Sequence, residues 1–144
     1  MDDTIRAIMQ QKVFAVVGVS EKKFGGTIYR VLKQRGLGVF AVNPNLDTFD
    51  GDKCYGTLND LPEKVETVVV AVSPDTANEI VADARRAGVK YLWFQRGADF
   101  FQAAGNATAQ GIKTVTGKCI LMYAGEVKGI HAIHRFFSKI TGNY

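Results

Sequence analysis

The residues best suited to bind a ligand follow the first apolar run of the chain. Residues 13–17 form a valine-rich run that leads directly into Gly18-Val19-Ser20. Lys22 and Lys23 come next, and the pair Gly25-Gly26 precedes a helical pattern. Free N–H groups at a helix start, the positive end of the helix dipole and nearby ammonium groups all attract anions. The pattern therefore predicts a phosphate-binding turn between a buried strand and a helix.

This glycine turn departs from two familiar nucleotide-binding motifs. A dinucleotide site of the form G-x-G-x-x-G requires glycine where this chain has Ser20 and Lys23, and an acid where the second strand ends in Asn43. The nucleoside triphosphate motif G-x-x-x-x-G-K-[ST] is also absent from the sequence. A tight corner that binds nothing is the alternative interpretation of the turn.

The other residues with chemical potential form weaker patterns. His131 and His134 lie three residues apart on a predicted helix, but they lack neighbouring acidic or thiol partners for a metal. Cys54 and Cys119 make no metal pattern, and we expect reduced, partly buried thiols. Because no base accompanies Cys119, a packed thiol is favoured over a nucleophile. Spacing alone supports no Ser-His-Asp arrangement.

The composition is that of a globular protein. The chain has 144 residues, 47% of them hydrophobic, and no apolar run is as long as the roughly 18 residues of a membrane span. The N-terminus lacks the basic and apolar regions of a signal peptide. We therefore expect a single domain over residues 1–144, located in the cytoplasm and making no membrane contact.

Charge is distributed unevenly along the chain, whose net charge is +4. Residues 12–36 carry six basic side chains against one acid, and residues 43–67 carry six acids against two lysines. The basic segment contains the glycine turn, which suits a phosphorylated ligand. We expect Arg30, Lys33 and Arg35 to lie on a solvated helix face. No RNA-binding aromatic motif or recognition helix is evident, so no nucleic-acid partner is expected.

Strand and helix patterns alternate around the glycine turn. Apolar runs predict strands at about 13–18, 37–42, 67–72, 90–94 and 112–115, with a short edge strand at 53–55. Helices are predicted at about 26–35, 75–87 and 99–110, after a short N-terminal helix that the segment Asp2-Asp3-Thr4 can cap. This alternation predicts parallel strands joined by helical crossovers.

Particular side chains are expected to form the core. The inner face of the helix at 26–35 would comprise Ile28, Val31 and Leu32. The helix at 75–87 would bury Ala77, Ile80, Val81 and Ala84. Four aromatic residues are also expected in the core: Tyr29, Trp93, Phe94 and Phe100. Residues 120–144 would add a C-terminal amphipathic helix at 127–140, packed on the sheet or on a partner subunit.

An ordered set of short motifs covers about residues 5–120. The motifs are Gly18-Val19-Ser20, Gly26, Val42-Asn43-Pro44, Tyr55-Gly56-Thr57-Leu58, Leu61-Pro62, Val72-Ser73-Pro74, Trp93-Phe94-Gln95-Arg96-Gly97 and Cys119. The set resembles the stand-alone CoA-binding proteins, whose domain is similar to the CoA-binding domain of the succinyl-CoA synthetase alpha subunit. This resemblance implies a three-layer α/β domain of Rossmann type, with a parallel sheet in the order 3-2-1-4-5-6, helices on both faces and CoA at the carboxyl ends of the strands.

The resemblance also implies a binding site. Gly18, Val19 and Ser20 would hold phosphate through backbone N–H groups and a hydroxyl. Four further residues would complete this loop: Lys22, Lys23, Gly25 and Gly26. The two lysines are included for their charge alone, because the family pattern has no fixed counterpart for them.

Other parts of CoA would contact residues on neighbouring strands. Asn43 and Pro44 would border the adenosine part, and Val72 and Ser73 would face the diphosphate and the start of pantetheine. Gln95 would lie towards the thiol. The loops after the first and fourth strands would meet at the switch point of the sheet.

These observations together favour a protein that binds coenzyme A or acyl-CoA through the glycine/serine loop and has no catalysis of its own. Three alternatives remain open: an accessory subunit of a CoA ligase or transferase, an NAD(H)-binding redox sensor, and a purely structural domain. Besides the CoA ligand, a homodimer or a partner enzyme contacting the C-terminal helix is the expected partner.

Overall fold

The computed structural model describes residues 2–124, which fold around one sheet of seven strands. The strands are β1 (Val13–Val17), β2 (Gly38–Val42), β3 (Thr48–Phe49), β4 (Asp52–Tyr55), β5 (Thr67–Val70), β6 (Tyr91–Gln95) and β7 (Lys113–Lys118). Their order in the sheet is β3-β4-β2-β1-β5-β6-β7. All neighbouring strands run parallel except β3 and β4, which are antiparallel.

Helices cover both faces of the sheet. They are α1 (Asp3–Met9), α2 (Phe24–Gln34), α3 (Pro74–Ala87) and α4 (Phe101–Ala109), with 3-10 turns at Leu58–Asp60 and Ile120–Met122. Ala15 and Val17 of β1 pack in the hydrophobic core that includes α3 and α4, whereas Phe14 and Val16 pack in the core that includes α1 and α2. Successive strand side chains point to opposite faces, so every central strand contributes to both cores.

The predicted α/β class with a mostly parallel sheet is confirmed, but the strand order differs by one strand. The predicted order 3-2-1-4-5-6 corresponds to β4-β2-β1-β5-β6-β7, and β3 adds a further strand outside β4. The prediction that 53–55 forms the sheet edge is therefore wrong. Asp50 and Gly51 both have positive φ, at 56° and 84°, which lets a two-residue turn reverse the chain from β3 into β4.

The helices follow the predicted hydrophobic faces closely. Every residue of the predicted α3 face is buried, and a left-handed Gly88 ends that helix. Ile28 and Leu32 of α2 are buried as predicted, but Val31 is only half-buried. The α2 helix also begins at Phe24, two residues before the predicted start at 26. Predicted capping of α1 is confirmed, since the Asp2 carboxylate accepts from the N–H groups of Thr4 and Ile5.

The remaining predictions on core and termini have mixed outcomes. Tyr29, Trp93, Phe94 and Phe100 are buried, as expected. Cys54 and Cys119 are buried free thiols. The predicted helix at 127–140, with His131 and His134, lies outside the described residues. Over residues 2–124, every helix is too short or too polar to cross a membrane.

Candidate functional site

A cavity of about 1020 Å³ opens at the carboxyl ends of the parallel strands. Its walls are the segments that follow β1, β2, β4 and β5, the β3–β4 hairpin and one face of α3. The chain continues from β1 into β2, which pairs with one edge of β1, whereas β5 pairs with the opposite edge of β1. The cavity therefore lies at the topological switch point of the sheet, where open α/β sheets bind their ligands.

Gly18 brings two walls of this cavity together. Its φ is +106°, and a Cβ added there would lie 2.4 Å from the carbonyl oxygen of Ala71, directly after β5. The Gly18 N–H donates to the carbonyl of Val42 at 3.0 Å, and Ala71 N–H donates to the carbonyl of Val17 at 2.9 Å. Only glycine combines this backbone conformation with this close approach, so Gly18 makes the corner between the β1 and β5 loops.

Gly25 and Gly26 pack α2 against the same corner and do not line the cavity. A Cβ on Gly25 would lie 2.3 Å from the carbonyl oxygen of Gly18, and one on Gly26 would lie 2.2 Å from that of Ser20. Among the described residues 2–124, no side chain caps the start of α2, and its first turn contains no acid. The positive end of the helix dipole is thus left without a side-chain partner beside the cavity.

Seven of the predicted binding residues line the cavity. These residues are Gly18, Ser20, Lys23, Asn43, Pro44, Val72 and Ser73. The Ser73 hydroxyl does not cap α3, since it contacts the Thr76 hydroxyl at 3.3 Å. Two hydroxyls and one ammonium therefore line the cavity, from Ser20, Ser73 and Lys23.

Asn43 lines the cavity with its side chain already engaged. Its Nδ2 donates to the carbonyl of Val19 at 2.8 Å, and its Oδ1 accepts from the N–H of Asn45 at 2.8 Å. The amide thus ties the segment after β2 to the turn after β1. It is committed to holding the walls of the cavity in place.

The other five predicted residues do not reach the cavity. Val19 is fully buried and Lys22 is exposed outside the lining, while Gly25 and Gly26 contact backbone as described above. Gln95 is buried, and its Oε1 accepts from the N–H of Ile120 at 3.1 Å. The structure places Gln95 as a link between β6 and the segment after β7.

Two walls of the cavity were not predicted from the sequence. One is the β3–β4 hairpin with Phe49 and Asp50, whose Asp-Gly turn is a recognisable hairpin signal. The other consists of the segment after β4 together with a stripe on α3 that comprises Thr76, Glu79, Ile80 and Asp83. These four residues have the i, i+3, i+4, i+7 spacing of one helix face, which overlaps the buried face at Ile80.

Basic side chains of α2 bind groups of other segments, including the hairpin wall. The Arg30 guanidinium pairs with Glu21 at 3.1 Å and Asp50 at 3.2 Å, and it lies over the Phe49 ring at 5.0 Å. Arg35 donates to the carbonyls of Leu121 and Ala124 at 2.8 Å. Lys33 is exposed on the helix, as expected, whereas Arg30 and Arg35 are half-buried and link α2 to segments that are distant in sequence.

Asp52, the first residue of β4, is the centre of a further polar cluster. The Tyr29 hydroxyl donates to its carboxylate at 2.6 Å, and the Lys33 ammonium also donates to it. Lys33 and then Tyr29 lower the pKa of Asp52 below its ordinary value. Burial and then the bond to Asp52 raise the pKa of Tyr29.

Thiols and metal-binding groups contribute little to this site. Burial raises the pKa of the Cys54 thiol, which lies outside the cavity lining. Throughout residues 2–124, no three His, Cys, Asp or Glu side chains come close enough together to hold a metal ion.

Comparison with known families shows which family the chain belongs to. The family model described as CoA binding domain matches residues 12–125. This chain belongs to the CoA-binding domain family. The resemblance inferred from the short motifs is confirmed, and the cavity lies within the matched residues.

Curated relatives of this CoA-binding domain are much longer proteins. It is 33% identical over 90 residues to the ADP-forming acetate–CoA ligase II of Archaeoglobus fulgidus, covering 60% of this chain and 13% of the ligase. It is 28% identical over 142 residues to the acetate–CoA ligase I of the same organism, covering 90% of this chain and 20% of the ligase. The chain therefore spans a fifth or less of the length of these relatives.

Solved structures include both short and long relatives of the domain. A hypothetical protein from Pyrococcus horikoshii has a TM-score of 0.79 and 31% identity, covering 85% of this chain and 89% of that one. The dinucleotide forming acetyl-coenzyme A synthetase 1 of Ca. Korarchaeum cryptofilum, in complex with phosphate and ADP, has a TM-score of 0.68 and 26% identity. That match covers 77% of this chain and 26% of the synthetase.

Proposed function

We propose that this protein binds coenzyme A or acyl-CoA in the cavity at the switch point, with the diphosphate at the Gly18 corner. The observation that carries the proposal is this corner, where the uncapped start of α2 and the β5 loop meet beside the cavity. A helix N-terminus and adjacent backbone N–H groups favour a phosphate at such a position. Membership of the CoA-binding domain family supports the choice of ligand.

Polar side chains around the corner suit a phosphate group. The hydroxyls of Ser20 and Ser73 and the ammonium of Lys23 line the cavity and can all donate hydrogen bonds. The cavity of about 1020 Å³ is at the upper end of the range for small-molecule sites, in keeping with an extended ligand.

CoA is a better candidate than NAD(H) at this site. A dinucleotide fold normally has an acid at the end of the second strand to accept hydrogen bonds from the ribose. Asn43 stands at that position, and its amide is engaged with the carbonyl of Val19 and the N–H of Asn45. The chain thus supplies no carboxylate there for a nicotinamide dinucleotide.

We propose further that the chain carries CoA without transforming it, alone or as an accessory part of a CoA ligase. Neither histidine nor cysteine lines the cavity within residues 2–124. The curated relatives are acetate–CoA ligases in which the matching region is a small fraction of the protein. In that arrangement another chain would supply the catalytic groups.

Ligand analysis of the purified protein tests the proposal. We expect mass spectrometry of gently isolated protein to find CoA or an acyl-CoA, and calorimetry to show saturable binding of CoA. NADH and ATP serve as competitors, and neither should displace CoA at equal concentration. Absence of CoA binding, or displacement by NADH, would refute the proposal. Formation of acetyl-CoA, ADP and phosphate from acetate, CoA and ATP by the chain alone would refute the non-catalytic role.

A further inference from the structure

The lining of the cavity is negatively charged, which opposes a phosphorylated ligand. Its charged residues are one base, Lys23, and four acids, Glu21, Asp50, Glu79 and Asp83. CoA is a polyanion, and like charges repel each other over a Debye length of about 8 Å at physiological ionic strength. Binding of CoA therefore requires that cations outside the lining neutralise some of these carboxylates.

Arg30 pairs with two of the four acids at once. Its Nη2 lies 3.1 Å from Oε1 of Glu21, and its Nε lies 3.2 Å from Oδ1 of Asp50. Glu21 belongs to the segment after β1, whereas Asp50 lies in the turn of the β3–β4 hairpin. Arg30 does not line the cavity, so it acts on a ligand only through these two partners.

The hairpin itself holds the Arg30 guanidinium in place. The guanidinium lies over the Phe49 ring, with 5.0 Å between its Cζ and the ring centroid. Phe49 is buried, and its ring contacts the edge of the Tyr29 ring at a centroid distance of 5.4 Å. A guanidinium stacked on an aromatic ring presents its N–H donors as a rigid fork. One side chain can therefore pair with both acids, which a lysine ammonium could not do in this fixed geometry.

The two acids depend on this one cation. Among residues 2–124, no other basic side chain lies within ion-pair distance of Glu21 or Asp50. The Asp83 carboxylate has a different partner, Arg86, at 2.5 Å. The side chains of Arg30 and Asp50 are 31% and 37% exposed, so solvent screens their pair only in part. Without Arg30, the cavity would be lined by two further uncompensated carboxylates.

We infer that Arg30 is a positioning residue for a polyanionic ligand, because it neutralises Glu21 and Asp50 and holds both carboxylates on its guanidinium. This inference rests on the proposed binding of CoA and extends that site to a residue behind its lining. The same bridge joins the hairpin to the segment after β1, so it also fixes two walls of the cavity relative to each other.

The test is a mutant cycle in which calorimetry measures CoA binding by the full chain. Arg30→Gln should weaken binding by about tenfold at low salt, and about 0.5 M salt should remove most of this loss. A triple variant with Arg30→Gln, Glu21→Gln and Asp50→Asn lacks all three charges and should bind within about twofold of the wild type. Asparagine tolerates the positive φ of residue 50, so Asp50→Asn preserves the hairpin turn.

A double variant with Glu21→Gln and Asp50→Asn leaves the Arg30 cation without its acids. It should bind CoA at least as tightly as the wild type and with a steeper salt dependence, because the positive charge near the cavity is then uncompensated. Arg85→Gln is the matched control, since it removes the same charge at an exposed position outside the cavity lining. It should change CoA affinity by less than about twofold.

The outcomes separate this inference from the proposed function. A triple variant that binds CoA as poorly as Arg30→Gln would overturn the inference, since neutralising the acids would then restore nothing. Wild-type affinity in a folded Arg30→Gln variant would overturn it as well. If Arg30→Gln fails to fold, the double variant decides alone, and weaker CoA binding by that variant overturns the inference. Failure of the wild type to bind CoA would refute the proposed function and this inference with it.

Discussion

The carbonyl oxygen of Gly18 occupies the space that a side chain on Gly25 would need. An added Cβ at Gly25 would lie 2.3 Å from that oxygen and 3.2 Å from the Ala71 side chain. The start of α2 therefore packs backbone to backbone on the turn after β1. The direction in which α2 presents its first N–H groups depends on this contact.

Replacing Gly25 by alanine should disturb both the fold and the site. Overpacking against the Gly18 carbonyl should lower the free energy of unfolding by about 1–3 kcal/mol and weaken CoA binding, because α2 must move away from the turn. Urea unfolding and CoA titration measure the two effects.

The control for that change is Gly105→Ala in α4, where a Cβ would meet nothing within 4 Å among residues 2–124. Gly105→Ala should raise the free energy of unfolding by up to about 1 kcal/mol, since alanine favours helix over glycine. A Gly25→Ala variant that keeps wild-type stability and wild-type CoA affinity would contradict the role of the contact between Gly25 and the Gly18 carbonyl.

The two lysines of the glycine turn should differ in their effect on CoA binding. Lys23 lines the cavity and Lys22 does not. Lys23→Ala should weaken CoA binding by up to about fivefold at low salt, as expected for an exposed ionic contact. This loss should shrink at about 0.5 M salt through screening. Lys22→Ala is the matched control and should change affinity less. An equal effect of both variants would indicate only a diffuse charge effect.

The Asp52 cluster should make stability depend on acid pH. Lys33 and then Tyr29 donate to this carboxylate and lower its pKa. Asp52→Asn should therefore reduce the free energy of unfolding at pH 7 by about 1 kcal/mol. As the pH falls, the Asp52 carboxyl of the unfolded chain, with its ordinary pKa of about 3.9, is protonated before that of the folded protein. The contribution of Asp52 to the free energy of unfolding is therefore lost as the pH falls through the lowered pKa of the folded state.

Unfolding of the wild type and the variant between pH 7 and pH 2 measures this dependence, and the two curves should converge at low pH. Asp47→Asn, at an exposed position outside the cluster, should follow the wild type throughout. A wild-type advantage that persists unchanged below the folded pKa would show that the carboxylate charge is not its source.

Local patterns in the sequence determined the framework. Valine-rich runs predicted the central strands, and the spacing of Ala77, Ile80, Val81 and Ala84 predicted the buried face of α3. Gly18 also identified the turn at the switch point. Each of these features depends on residues within a few positions of one another, so strand and helix periodicity reveal it directly.

Only the tertiary structure decided which side chains meet around the cavity. Arg30 joins Glu21 to Asp50, and Gln95 is drawn into the core by the N–H of Ile120 rather than into the cavity. Glu79 lines the cavity because α3 packs beside the 3-10 turn after β4. These contacts join segments far apart in the chain, and their geometry depends on how strands and helices pack in three dimensions. Sequence spacing determines the elements, whereas close packing selects their long-range partners.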